Sequence, residues 1–213
     1  MSNLVEITRD LQRELGVTVD GRAGLVTLSM ALAEIRALRA GPDDIIEHPA
    51  ASSSEVIFDP RTESVLATLD PKAVPMFREF LCLAKGTAAS LGCDYVLISG
   101  NRSFSEQDAL YEQGRSKPGN IVTKARGGQS NHNFKIAADA GVFLGKIYLD
   151  DGTAAQQLQA SKVHKACSEH AVSCGLEWGG SWKSIVDQPH FQVATGKTTA
   201  QLRRLYLEKG SVL

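Results

Sequence analysis

Apolar positions recur at helical spacing from Val74 to Leu91, with Phe77, Leu81, Ala84 and Ala88 between them on one side. That period predicts a helix over 72–91, ended by Gly92. Tyr95 to Ser99 is a short apolar run that fits a buried strand. Ser103 and Glu106 stand at capping-box spacing, which predicts a helix from there to Gly114. From Arg115 to Gln129 the period lapses into a Gly-rich loop carrying Arg115, Lys117, Lys124 and Arg126. Apolar residues return at Ile136 and run towards Leu149, a strand region that turns at Gly145-Lys146 or at Asp150-Asp151-Gly152. Ala154 to Ser173 reads as an alanine-rich helix capped by Gly175. Phe191 to Val193 fits a final strand with His190 at its start, and Thr199 to Lys209 a closing helix. The order implies an α+β domain over 72–213, a small antiparallel sheet with helices on its other face.

The N-terminal pattern is separate. Leu4, Ile7, Leu11 and Leu15 recur at helical spacing, and Gly16 stops them. Thr27 is placed to cap a second helix with Leu28, Leu32, Ile35 and Leu38 inside. Residues 1–40 are thus expected to form a small all-α module. Pro42, Pro49, Pro60 and Pro71 punctuate the next stretch, with Ser52 to Ser54 between them. This predicts a linker over 41–71, holding one short extended piece at Val56-Ile57-Phe58.

Composition narrows the class. The chain has 213 residues, 43% hydrophobic and 22% charged, which fits a soluble globular protein of one ordinary domain plus a small module. A net charge of −1 gives no support for bulk nucleic-acid binding. No run approaches the roughly 18 apolar residues of a membrane span. Met1 to Asp10 lacks a basic start followed by an apolar core, so no secretory signal is expected. Cys82, Cys93, Cys167 and Cys174 are too irregular for a disulfide scaffold. Cys167, His170 and Cys174 would share one face of a continuous helix, as a second metal site or as small buried packing residues.

The candidate chemistry lies in two stretches. Ser130 to Asp139 reads S-N-H-N-F-K-I-A-A-D, with His132 and Asp139 seven residues apart. Asp187-Gln188-Pro189-His190 follows near the end. Two histidines and a carboxylate make a three-ligand set for Zn²⁺ with one position open for water. Asp139 falls within an apolar run, and a buried carboxylate is costly unless paired or metal-bound. His132, Asp139 and His190 are therefore the expected zinc ligands. Asp187 is the expected catalytic base.

S-x-H-x(6)-D, then W-G-G-x-W at Trp178 to Trp182 and D-x-P-H-F-Q at Asp187 to Gln192, resembles the zinc peptidases of the D-Ala-D-Ala carboxypeptidase and L-alanyl-D-glutamate endopeptidase group. Their fold is shared with lysostaphin-type enzymes and the hedgehog domain. The resemblance implies one zinc per chain on His132, Asp139 and His190, and Asp187 as base. It implies that Arg102, in the turn before the Ser103 cap, stabilises a substrate carbonyl or oxyanion. Ser130, Gln107 and Trp182 would join Arg102 in binding substrate. One departure stands out: the group usually has glycine where this chain has Lys135. The N-terminal residues Leu11-Gln12, Leu15-Gly16, Val19-Asp20-Gly21, Gly24 and Thr27 resemble a three-helix peptidoglycan-binding module, with Leu25 at its usual proline. A plain helical hairpin is the alternative for so short a segment.

What the resemblance implies is hydrolysis of the L-Ala-D-Glu bond in the peptidoglycan stem. The enzyme would be a monomeric, phage endolysin-like lysin made in the cytoplasm and released to the wall through a holin. A D,D-carboxypeptidase or dipeptidase on D-Ala-D-Ala would use the same ligands. A zinc-stabilised wall-binding protein without turnover is the reading from another class, and Asp187 argues against it.

Overall fold

Asp59 and Pro60 start a helix where the proline spacing predicts a linker. The Asp59 side chain accepts from the Thr62 amide at 2.9 Å and from the Thr62 hydroxyl at 2.7 Å. Pro60 then occupies the first helical position, where its missing N–H costs nothing. The resulting α1, Pro60–Leu66, buries Thr62, Val65 and Leu66. Seven residues are too few to show a period, which is why the proline reads as punctuation. The computed structural model describes residues 56–213 apart from Ser184. The helical module expected over 1–40, and the linker as far as residue 55, lie outside them. The compact unit starts at Val56, so the second half of the expected linker belongs to it.

α2, Val74–Ser90, buries Phe77, Leu81, Ala84 and Ala88 as its period requires, and Phe80 with them. Gly92 turns the chain out at φ 73°. The strands are β1 (Asp94–Ser99), β2 (Ala137–Leu144), β3 (Ile147–Tyr148), β4 (Leu176–Trp178) and β5 (His190–Val193). They pair antiparallel in the order β1-β2-β5-β4, with β3 added to β2 through the Gly145-Lys146 turn. Alternation along the strands separates two faces. Tyr95, Leu97, Ala138, Ala140, Val142, Phe191 and Val193 turn to the core. Phe80 of α2 meets Phe191 there, ring centroids 4.5 Å apart. Asp139, His190, Gln192 and Glu177 fall on the other face.

α3, Phe104–Glu112, has the expected capping box between Ser103 and Glu106. α4, Ala154–Ser168, is shorter than its alanine content predicts, and a separate 3₁₀ turn follows at Val172–Cys174. Cys167, His170 and Cys174 therefore do not share one helix. The Cys167 thiol donates to the Ala84 carbonyl at 3.3 Å, and His170 Nε2 pairs with the Thr87 hydroxyl at 2.8 Å. Both contacts tie the segment to α2, so these are packing residues. All four cysteines are unpaired. Burial pushes the Cys167 thiol up to about 12 and the Cys174 thiol up to about 11. α5, Thr199–Lys209, closes the chain with Thr198 as its cap. Among the described residues no helix is long and apolar enough to cross a membrane.

Candidate metal centre

Strand pairing assembles the first two donors. Asp139 of β2 lies directly opposite His190 of β5. On its other side, Leu97 of β1 pairs with Ala140 and Ser99 with Asp139, so Ile98 is an extra residue. Such a bulge re-aims side chains and recurs beside functional sites. His132 arrives from a 3₁₀ turn, Asn131–Phe134. Lys135 ends that turn in the left-handed conformation, φ 62° and ψ 24°. It is the one non-glycine with positive φ among the described residues. The Asp70 amide donates to the Lys135 carbonyl at 2.8 Å and helps hold it there. The site therefore keeps the backbone path that a glycine would allow.

The three donor atoms form a nearly equilateral triangle. His132 Nε2 lies 3.1 Å from Asp139 Oδ1 and 3.2 Å from His190 Nδ1, and His190 Nδ1 lies 3.2 Å from Asp139 Oδ1. Ligands at about 2.0–2.1 Å from a tetrahedral zinc stand roughly 3.3–3.4 Å from one another. The triangle thus fits one face of that tetrahedron. These three residues are the one group of potential metal ligands among the described residues.

The outer ring nitrogens set the protons. His132 Nδ1 is 2.7 Å from the Gly100 carbonyl, which can only accept. His190 Nε2 is 3.1 Å from Gln192 Oε1, also an acceptor. With the proton on its outer nitrogen, each ring turns a lone pair into the triangle. Burial pushes Asp139 upward, but the two histidines outweigh it and hold its carboxyl far below the usual carboxylate range. For His190 burial lowers the pKa, yet hydrogen bonding and charge from Asp139 raise it overall.

The other expected residues surround this triangle. Asp187 is half-buried, and burial raises its pKa against the opposing charge of His190. Its carbonyl accepts from the His190 amide at 3.3 Å, closing the D-x-P-H turn. Arg102 is clamped by Gln107 Oε1 at 2.9 Å and Ser99 Oγ at 3.2 Å. Its backbone is tied to His132 O at 3.1 Å and to the Asn133 side chain at 2.9 Å. Gln107, expected to bind substrate, is fully buried. Its amide nitrogen donates to the Ala125 carbonyl at 2.9 Å, so both ends are spent inside the protein. It positions Arg102. Ser130 caps the 3₁₀ turn and is half-buried. The Trp182 ring sits 5.0 Å from the His190 ring.

Sequence reasoning missed two features. The first is the contact of His190 with Gln192, whose amide in turn meets Asn131 and Glu177. Its signal was available, since positions i and i+2 of a strand share a face. The second is the reason for the paired glycines. A Cβ on Gly179 would lie 2.6 Å from the Asp187 carbonyl oxygen and 3.2 Å from Asp187 Cβ. A Cβ on Gly180 would lie 2.1 Å from the Trp178 indole, whose Nε1 donates to the Gln188 carbonyl at 2.7 Å. The W-G-G segment grips the D-x-P-H turn.

Residues 123–193 match the model of a peptidase family described as D-alanyl-D-alanine carboxypeptidase. The match contains His132, Asp139, Asp187 and His190 and leaves out Arg102. The chain is 39% identical over 125 residues to the peptidoglycan L-alanyl-D-glutamate endopeptidase CwlK of Bacillus subtilis (strain 168), covering 56% of this chain and 72% of that one. The chain belongs to the D-alanyl-D-alanine carboxypeptidase family of peptidases. Among solved structures, the Serratia marcescens L-Ala D-Glu endopeptidase ChiX is similar with a TM-score of 0.42 and 24% identity, over 67% of this chain and 93% of that one. The vancomycin-resistance D,D-dipeptidase VanXYg is similar at 0.41 and 17%, over 64% and 59%. Peptidases of this family are zinc-dependent, in keeping with the donor set described above.

Proposed function

We propose that the chain hydrolyses the L-Ala-D-Glu bond of the peptidoglycan stem, with one zinc held by His132 Nε2, His190 Nδ1 and Asp139 Oδ1. The observation that carries the reading is the triangle of donors, with each histidine backed by an acceptor on its outer nitrogen. The likeness to CwlK supports the choice of bond. A bound zinc supplies Lewis acidity at the scissile carbonyl and lowers the pKa of the attacking water. Asp187 takes the proton of that water on its carboxylate and hands it to the leaving amine. A raised pKa suits both tasks, because the acid must hold the proton between them. Arg102, held in place by Gln107 and Ser99, donates to the substrate carbonyl oxygen as charge develops there. Ser130 and Trp182 line the approach.

In this reading the enzyme is a monomeric lysin of the endolysin kind. Residues 1–40 hold it on the wall and raise its local concentration without adding a catalytic group.

Digestion of purified peptidoglycan by wild type and Asp187→Ala, with zinc content measured and products read by mass spectrometry, tests the proposal. New N-terminal D-glutamate is expected from wild type. The variant should keep its zinc and lose about 10²–10⁴-fold in rate. Release of D-alanine or D-Ala-D-Ala would instead assign the D,D-specificity of the family's description. Zinc bound without cleavage by either protein would leave a metal-stabilised binding protein.

A further inference from the structure

His190 can accept a metal at Nδ1 only while its proton sits on Nε2. Asp139 Oδ1, 3.2 Å from Nδ1, can accept a proton there, so an acceptor facing Nε2 is needed to hold the proton on the outer side. That atom belongs to Gln192, whose amide presents either oxygen or nitrogen depending on how it is turned. Three groups surround that amide. His190 Nε2 is 3.1 Å from Oε1, Asn131 Nδ2 donates to Oε1 at 2.6 Å, and Gln192 Nε2 donates to Glu177 Oε2 at 3.0 Å. Asn131 does not fix the direction by itself. Its Oδ1 is buried with no hydrogen-bond partner among the described residues, so no contact on that oxygen holds its own amide against turning over. If Asn131 and Gln192 turned together, Gln192 nitrogen would face His190, and the ring proton would move to Nδ1, inside the triangle. The Glu177 carboxylate blocks this, because it can only accept. Glu177 and Gln192 are direct cross-strand partners on β4 and β5, so the contact is built into the sheet register.

We infer that Glu177, an exposed residue outside the donor triangle, is a positioning residue that holds His190 in its metal-binding tautomer through Gln192. The inference rests on the zinc reading of the site. It adds a chain of three side chains, Glu177 to Gln192 to His190, that sets the proton of one ligand from the protein surface. A carboxylate in this place does what a carboxylate directly on a ligand histidine does elsewhere, with an amide relaying its polarity.

The test is a zinc-affinity measurement by chelator competition on the full chain. It is paired with ¹⁵N NMR of the His190 ring in the zinc-free protein at alkaline pH. Wild type should bind zinc and show the Nε2–H tautomer. Gln192→Leu should weaken zinc about 10–100-fold. Glu177→Lys places a donor against Gln192, turns its amide, and should weaken zinc by a similar factor with the ring shifted to Nδ1–H. Its side chain is on the surface, so its thermal unfolding should stay near that of wild type. The exchanged pair Glu177→Gln with Gln192→Glu keeps an acceptor on His190 and a donor behind it, and should restore affinity and tautomer. Wild-type affinity and tautomer in Glu177→Lys would overturn the inference and leave the zinc site standing. A wild-type chain that takes up no zinc would overturn the zinc reading and the inference with it.

Discussion

Asp187 has two demands on it. As a base it must be able to ionise, yet its surroundings oppose the charge, chiefly through burial. The folded chain therefore binds this proton more tightly than the unfolded chain does. Ionised Asp187 costs stability above its raised folded pKa, and the cost vanishes below the unfolded value. Zinc-free Asp187→Asn should be more stable than zinc-free wild type at neutral pH. The gap should close as pH falls into the ordinary carboxylate range, which denaturant titrations at several pH values would read. Lys135 pays a different cost. A non-glycine residue in the left-handed region is strained by about 1–2 kcal/mol, against about 0.5–1 kcal/mol for the greater freedom of unfolded glycine. Lys135→Gly should raise stability by about 0.5–1 kcal/mol, seen as a higher denaturant midpoint at unchanged slope. That His132, Asp139 and His190 would come together was legible from residue type and spacing. Gln107 was not, because the turn that placed it near Arg102 did not show that its amide would be used up inside the protein.

At the scale of elements, strand alternation explains why chemistry and core coexist in so small a sheet. Phe191 and Val193 enter the core while His190 and Gln192, alternating with them, lie on the other face of the sheet. The W-G-G segment then holds the turn that carries Asp187. Gly179→Ala should leave the fold intact and cut kcat/KM by about 10²-fold, since a displacement on the order of 1 Å near reacting groups costs that much. Steady-state kinetics beside a thermal melt would separate the two effects. Long periodic helices and capping boxes were readable in advance, because α2, α3 and α5 rest on local patterns. α1 and the end of α4 were not. Seven residues are too few for a period, and tertiary contacts to α2 stop α4 where alanine content would let it run.

For the whole molecule, the placement of α1 matters most. Phe58, Val65, Leu66 and Leu69 all belong to the one core of the unit. A fragment of residues 56–213 should therefore fold and cleave soluble stem peptides like the full chain. A fragment beginning at residue 72 loses those side chains, each costing on the order of 2–5 kcal/mol when truncated, and should not hold a native fold. Circular dichroism and cleavage of a soluble peptide would distinguish them. If residues 1–40 tether the enzyme, only the full chain should co-sediment with insoluble wall.

The four thiols bear on where such a molecule can be made and where it can serve. None is committed to a bridge, three are buried, and burial raises the pKa of Cys82, Cys167 and Cys174. A thiol kept protonated and away from solvent is slow to exchange or oxidise. The native state of this unit therefore asks nothing of its redox surroundings. It can mature completely in a reducing compartment and pass into an oxidising one without a covalent bond having to form or break.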